Sequence, residues 1–379
     1  MNFTYNETQE MLRDTLARFL ADTYDFETRR KMVASDAGRD PGIWRALATE
    51  LGILGAPFAE DQGGLGGGAV ENMIVMEQLG EAIAIEPYLQ TVVIGGGALK
   101  ATGGAQAEAL ITQIIGGDAI IAFAYAEPQS RYELHNLRTA AKKDGAGWVL
   151  NGHKAVVYAA PWATHLLVTA RTGGSQRDPD GVSLFLIEAN RPGIVRRDYP
   201  TVDGFRASEI YFENCSLPGD ALVGSEGGAL PLVEQVVDEA TAAICAEATG
   251  VMRRLHAGTM DYARQRKQFG RPISEFQVLQ HRMVDMFMEV EQAASMTLMA
   301  TLKLDLPAPE RMAAVSQAKA KIGKGLKFVG QNAIQTHGGI GITDELAIGH
   351  YFKRATMIEG QFGSVDHHLG RFERLSMPD

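Results

Sequence analysis

With 379 residues, 45% of them hydrophobic, the chain is long enough to bury two or three packed units instead of one small core. A formal net charge of −10 argues against a general nucleic-acid binder, although a local basic cluster can still hold an anionic ligand. The two cysteines, Cys215 and Cys245, lack CxxC spacing, which disfavours structural zinc and a disulfide framework and fits a reducing cytoplasm.

Residues Met1 to Arg13 are polar and partly acidic, without the basic start and apolar run of a secretory signal. The first third reads as helical. Asn6 and Gln9 have capping-box spacing, and Met11, Leu12, Thr15, Leu16, Phe19 and Leu20 recur with a helical period. Trp44, Leu47, Leu51 and Leu54 repeat it before the glycine-rich loop Gly63 to Gly68, and Met73, Val75, Met76 and Leu79 mark a further helix.

The pattern changes near Asp118. Ala119 to Ala126, Trp148 to Leu150, His165 to Ala170, Val182 to Glu188 and Glu209 to Glu213 are short apolar or alternating runs separated by turn residues, which predicts strands. Such runs are far shorter than the roughly 20 residues of a membrane span. After Gly227-Gly228 the helical period returns. Leu279, Met283, Met286, Phe287, Val290 and Ala294 predict one long helix, Glu310 to Asn332 a second, and Leu306 to Pro309 the loop between them. Strands and helices are segregated, so the fold class is α+β: helical over 1–118, β over 119–222 and helical over 223–379.

Three segments carry candidate chemistry. Arg264, Arg266, Lys267 and Arg271 cluster where a helix is predicted to stop at Gly270 and Pro272; they suit either a helix end or a phosphate clamp. Gln335-Thr336-His337-Gly338-Gly339-Ile340-Gly341 offers paired glycines, which suit a C-cap turn or a close approach of backbone to ligand. Glu359, in Met357-Ile358-Glu359-Gly360, stands isolated between apolar neighbours, as a general base would.

Taken together, Tyr262 to Gln277, Pro57-x-x-x-Asp61-x-Gly63-Gly64-Leu65-Gly66, Glu127-Pro128, Gly224-x-Glu226-Gly227 and Gln335-x-x-Gly338-Gly339-x-Gly341 resemble the acyl-CoA dehydrogenase family in order and spacing. The resemblance implies an N-terminal helical domain, a middle β domain and a C-terminal four-helix bundle. It implies FAD, with Arg266 and Gln268 at the pyrophosphate, Gln277 nearby, Gln335, Gly338 and Gly339 along the ADP part, and the backbone of Phe123, Tyr125 and Ala126 facing the flavin. Glu359 aligns with the catalytic base, which takes the α-proton of an acyl-CoA thioester while the β-hydrogen leaves as hydride to flavin N5. An electron-transfer flavoprotein then accepts the electrons, and a homodimer, homotetramer or heterotetramer with a related subunit is expected.

The chain also departs from the family pattern. Gln129-Ser130-Arg131-Tyr132-Glu133 replaces Gly-Ala-Gly-Ser-Asp, Val156 and Tyr158 stand at flavin-contact positions, and Gln361-Phe362-Gly363 follows Gly360 where Thr-x-Gln is typical. Thr241 replaces an arginine, and Glu239 and Glu247, on the helix that carries the base in some relatives, are rivals to Glu359, Glu247 the foremost. These departures resemble a bacterial branch handling steroid side-chain, dicarboxylic or other bulky acyl-CoAs, including two-subunit enzymes. Two alternatives to a competent dehydrogenase follow: a non-catalytic subunit that supports FAD, and an oxygen-using acyl-CoA oxidase. No nucleotide-binding Gly-x-Gly-x-x-Gly, P-loop, Gly-x-Ser-x-Gly or HExxH occurs, so no metal is expected, and His367-His368 is assigned to a surface helix.

Overall fold

The computed structural model describes residues 4–377; residues 1–3, where the stretch read as lacking a leader begins, lie outside it. The chain opens with helices α1 (Glu7–Thr23), α2 (Phe26–Ala34), α3 (Pro41–Thr49), α4 (Ala69–Ala82), α5 (Gly96–Thr102) and α6 (Ala105–Ile115). Strands follow: β1 (Ile121–Ala124), β2 (Ala140–Asp144), β3 (Gly147–Tyr158), β4 (His165–Arg171), β5 (Val182–Glu188), β6 (Ile194–Pro200), β7 (Arg206–Leu217) and β8 (Leu222–Val223). Then come α7 (Leu230–Gln265), the two short strands β9 (Lys267–Gln268) and β10 (Arg271–Pro272), α8 (Gln277–Leu302), α9 (Ala308–His337), α10 (Ala347–Gly360) and α11 (Val365–Ser376). The predicted α+β order of helices, strands and helices is the observed one. Two compact units share these elements: residues 1–34, 68–85 and 241–379 form one, and residues 35–67 and 86–240 the other.

The first unit is helical. Asn6 Oδ1 accepts from Gln9 N at 2.9 Å and Gln9 Oε1 from Asn6 N at 3.1 Å, closing the expected capping box and starting α1. Leu12, Leu16 and Leu20 then bury one stripe of that helix. Backbones approach closely between α4 and α7: a Cβ on Gly80 would lie 2.2 Å from Glu247 O, and one on Gly250 2.1 Å from Glu77 O. Only glycine fits at either place. In α8, Met283, Met286 and Val290 are buried as their spacing predicts, but Phe287 is exposed, so the apolar stripe is narrower than expected. His367-His368 lies on α11, yet not on a surface face: His368 is buried, with its ring held by Ser316 Oγ and Phe362 O. Satisfying both ring nitrogens is what lets an imidazole leave water.

The second unit is built on one sheet of strand order β6-β7-β3-β2-β4-β5-β8, with β1 added parallel to β4. Trp148, Leu150, Leu166, Val168, Phe185 and Ile210 fill its core. Pairing of β3 with β7 breaks register between Lys154 and Val157, an irregularity that leaves Val156 at φ 51°. A buried π-helical turn, Leu89–Gly95, precedes β1, and Thr91 Oγ1 receives a hydrogen bond from Ile121 N at 3.2 Å. The strand segments read from the sequence all lie in this sheet. Unforeseen were β2 and β6, whose Lys142, Lys143, Arg196 and Arg197 hide the apolar alternation.

Candidate functional site

The basic segment sits where α7 ends at Gln265. Strands β9 and β10 pair antiparallel around Phe269 (φ 52°) and Gly270 (φ 81°), a two-residue turn that needs positive φ at both central positions. Glycine accepts that geometry; Phe269 is strained there and is 93% exposed. Arg264 pairs with Asp261 at 3.3 Å and Arg271 stacks 4.3 Å from the Phe276 ring centre. Among the described residues Arg266 and Lys267 make no ion pair, so their charge stands uncompensated beside the exposed amides of Gln268 and Gln277.

Tyr262, one turn before Arg266, joins this segment to the second motif. Its ring stacks on His337 with centroids 4.3 Å apart, and its hydroxyl donates to His337 O at 3.3 Å. Gly338 (φ 68°) ends α9 directly after, and an added Cβ on Gly338 or Gly339 would meet nothing within 4 Å. These glycines, with exposed Gln335, leave backbone and amide donors open to a ligand.

In the sheet unit, β1 runs out through Phe123 and Tyr125, whose rings stack at 4.8 Å. Tyr125 O accepts from Lys154 Nζ at 3.2 Å and Ala126 O from Ala155 N at 2.9 Å. The N–H of Ala126 has no hydrogen-bond partner among the described residues. Below it Glu127 and Lys154 form a fully buried pair at 2.8 Å. Burial alone would raise the Glu127 carboxyl, but the Lys154 ammonium, the Gln129 amide and the Arg138 N–H together hold it down at about 2. Lys154 itself is lowered by burial, against the pull of Glu127.

The two carboxylates proposed as base have different surroundings. Glu247 is buried, with Oε1 and Oε2 engaged by Arg354 Nε at 2.5 Å and Nη2 at 2.7 Å. That is the bidentate pairing of a structural carboxylate. Glu359, at the end of α10, is half-buried; its Oε1 accepts from Val365 N at 3.1 Å, and its Oε2 has no hydrogen-bond partner among the described residues. It lines a cavity of ≈ 450 Å³ with Gly323, Lys324, Lys327, Phe352 and Asp366. Glu239 is half-buried and accepts from Gln235 Nε2 at 3.0 Å. The sequence reading missed Lys319, whose Nζ donates to Glu359 O at 2.9 Å and Gly363 O at 2.7 Å. A signal existed: Lys319 shares a helical stripe with Val315, Ile322 and Leu326, where a surface lysine has no place.

Family models of acyl-CoA dehydrogenases match the chain in succession: the N-terminal domain over residues 6–118, the middle domain over 122–215 and the C-terminal domain over 230–373. The chain belongs to the acyl-CoA dehydrogenase family. It is therefore an FAD-dependent enzyme acting on the CH–CH group of acyl-CoA. The probable acyl-CoA dehydrogenase YngJ of Bacillus subtilis is 28% identical to this acyl-CoA dehydrogenase over 371 residues, 95% of each chain. The mitochondrial short-chain specific acyl-CoA dehydrogenase of Homo sapiens is 28% identical over 315 residues, 82% of this chain and 76% of that one. Of solved structures, the steroid ACAD variant Tcur3481-Tcur3483 G363A superposes with a TM-score of 0.88 at 28% identity, covering 97% of each chain. The ChsE4-ChsE5 complex from Mycobacterium tuberculosis gives 0.90 at 25% identity over the whole of each chain.

The residues present fit FAD. A pyrophosphate needs uncompensated cations and open N–H donors, which Arg266, Lys267, Gln268 and the Gly338-Gly339 backbone offer. A flavin edge needs an unsatisfied backbone donor beside aromatic surface, which Ala126 and the stacked Phe123 and Tyr125 offer.

Proposed function

We propose that this acyl-CoA dehydrogenase removes the α-proton of its thioester substrate with Glu359. The observation that carries the reading is the contrast between two carboxylates: Glu359 keeps one oxygen open at a cavity, whereas Arg354 occupies both oxygens of Glu247. A base must reach its proton directly, and a carboxylate already bonded at both oxygens must first break a buried ion pair to do so. The Val365 N–H fixes one edge of the Glu359 carboxylate and leaves the other edge to take the proton.

Arg266 and Gln268 would hold the FAD pyrophosphate, with Gln277 nearby, Gln335, Gly338 and Gly339 along the ADP part, and Phe123, Tyr125 and Ala126 beside the ring. FAD, when bound, supplies the two-electron acceptor for the β-hydrogen. An electron-transfer flavoprotein is the proposed recipient of those electrons. Similarity to a steroid ACAD supports a bulky acyl group on the substrate.

A second reading is favoured by the fit to the ChsE4-ChsE5 complex: the chain works as one subunit of a two-subunit enzyme. Purification of the chain alone distinguishes the two. A yellow protein bleached anaerobically by acyl-CoA, and not by acyl-CoA after Glu359→Gln, is expected of a self-sufficient dehydrogenase. Flavin uptake or bleaching that requires a companion chain supports the subunit reading, and rapid hydrogen peroxide release indicates an oxidase.

A further inference from the structure

Lys319 is 2% exposed in the middle of α9. An ammonium placed there loses most of its hydration, and burial pulls its pKa down to about 8. Its two hydrogen bonds go to the carbonyls of Glu359 and Gly363, the two ends of the turn that leaves α10. The carbonyl of Phe362 between them accepts from His368 Nε2 at 3.2 Å. Because a carbonyl only accepts, His368 carries its proton on Nε2, and Nδ1 accepts from Ser316 Oγ at 3.3 Å. Phe362 (φ 57°) and Gly363 (φ 129°) have left-handed backbones, so this turn depends on outside support to keep its shape.

The charged surroundings of the ammonium are sparse. Among the described residues, Cys245 on α7, Glu359 on α10, and His367 and His368 on α11 are the titratable groups that interact with it. Burial pushes the Cys245 thiol up to about 12. Burial and neighbouring cations pull His367 down to about 4 and His368 to about 2. On α8, Glu289 is engaged by Lys321 at 2.6 Å. Near neutral pH the thiol and both imidazoles are uncharged, which leaves Glu359 as the carboxylate that Lys319 faces.

We propose that Lys319 is a positioning residue for Glu359: by holding both ends of the 359–363 turn it sets the direction in which the carboxylate meets the substrate. The proposal rests on Glu359 being the base. A surface lysine near a helix C-terminus would do no more than complement the dipole. A buried one bonded to the carbonyls on both sides of a strained turn determines that turn's geometry.

The test compares Lys319→Met, Lys319→Arg and Glu359→Gln in the full-length, FAD-loaded chain, together with any companion subunit its activity requires. Lys319→Met is expected to lower kcat by about 10²-fold, the loss that a misplacement of about 1 Å produces, while flavin absorbance and acyl-CoA affinity stay within about twofold. Lys319→Arg keeps a cationic donor on a long side chain, of different shape, and is expected to recover at least roughly tenfold of that loss. A folded, flavin-bound Lys319→Met protein with kcat within about threefold of the parent overturns the proposal, as does a fall in kcat matched by a fall in affinity. If Lys319→Met does not fold, Lys319→Gln is read by the same criteria. Glu359→Gln separates the two claims. Full activity in that variant removes the base assignment; its inactivity beside a fully active Lys319→Met removes only the positioning role.

Discussion

Arg354 grips Glu247 through two parallel hydrogen bonds, Nε to Oε1 at 2.5 Å and Nη2 to Oε2 at 2.7 Å, with both side chains at most 4% exposed. Such a pair is hard to recruit for proton transfer, because opening it strands a charge in a dry interior. Glu247→Ala should therefore act on stability. We expect a loss of about 3–5 kcal/mol in urea unfolding. Flavin bleaching should persist in whatever fraction remains folded; abolished bleaching in a stable Glu247→Ala protein would move the base to Glu247.

Glu359→Gln keeps size and one acceptor but cannot take a proton. The expected fall in kcat is about 10²–10⁴-fold, the range of a general base, with thermal unfolding and flavin content nearly unchanged. Stopped-flow bleaching by acyl-CoA measures it directly.

Arg266→Ala should weaken flavin retention without disturbing the helical unit, since the guanidinium is exposed and makes no ion pair among the described residues. Loss of one charge-assisted hydrogen bond is about 1.5–3 kcal/mol, equivalent to a rise in the FAD dissociation constant of about 10- to 100-fold. Titration of the apoprotein followed by flavin fluorescence checks this. An unchanged constant would separate Arg266 from the pyrophosphate.

Glu127 gives the sheet unit a defined acid sensitivity. Its carboxyl is held at about 2 in the fold, below its ordinary value of 4.5. Between those limits the unfolded chain binds a proton that the folded chain does not, so stability rises with pH through this window. The contribution is complete above the unfolded value and disappears as pH falls through about 2. Chemical denaturation at a series of acid pH values should show this slope, and Glu127→Gln should flatten it. The same variant strands Lys154 and lowers stability at neutral pH as well.

Gly80→Ala and Gly250→Ala each drive a methyl group into a carbonyl of the facing helix. Each should cost about 1–3 kcal/mol in a well-packed interior. Comparable stability to the parent would mean that α4 and α7 separate easily.

Much of the fold is legible in the residues because local chemistry and tertiary burial agree. The Asn6–Gln9 capping box and the Leu12, Leu16, Leu20 stripe act within a single helix, so they can be read without knowing the packing. Strand β6 escapes notice for the opposite reason. Its Arg196, Arg197 and Asp198 face water on an edge, where charge protects against unwanted pairing and also erases the apolar signal. At the candidate site, residue type points to Glu359 and Arg266, but the environment of a carboxylate is a tertiary property. That Glu247 has Arg354 as its partner, 107 positions away, is not a local signal. His368 is hidden likewise: the partners that permit its burial, Ser316 and Phe362, come from α9 and the turn after α10.

The broken register of β3 has a consequence for chain length. In a regular strand, residues three apart point to opposite faces, yet Lys154 and Val157 are both buried because the pairing with β7 slips between them. Removing Val156 would leave Lys154 and Val157 two positions apart, matching the two steps from Ile210 to Ser208 on β7, so regular pairing would keep both on one face. The extra residue itself stands outside the interior, with Val156 44% exposed. A variant that deletes it should keep Lys154 and Val157 inside, while the local kink and the positive-φ backbone at this point of the strand disappear.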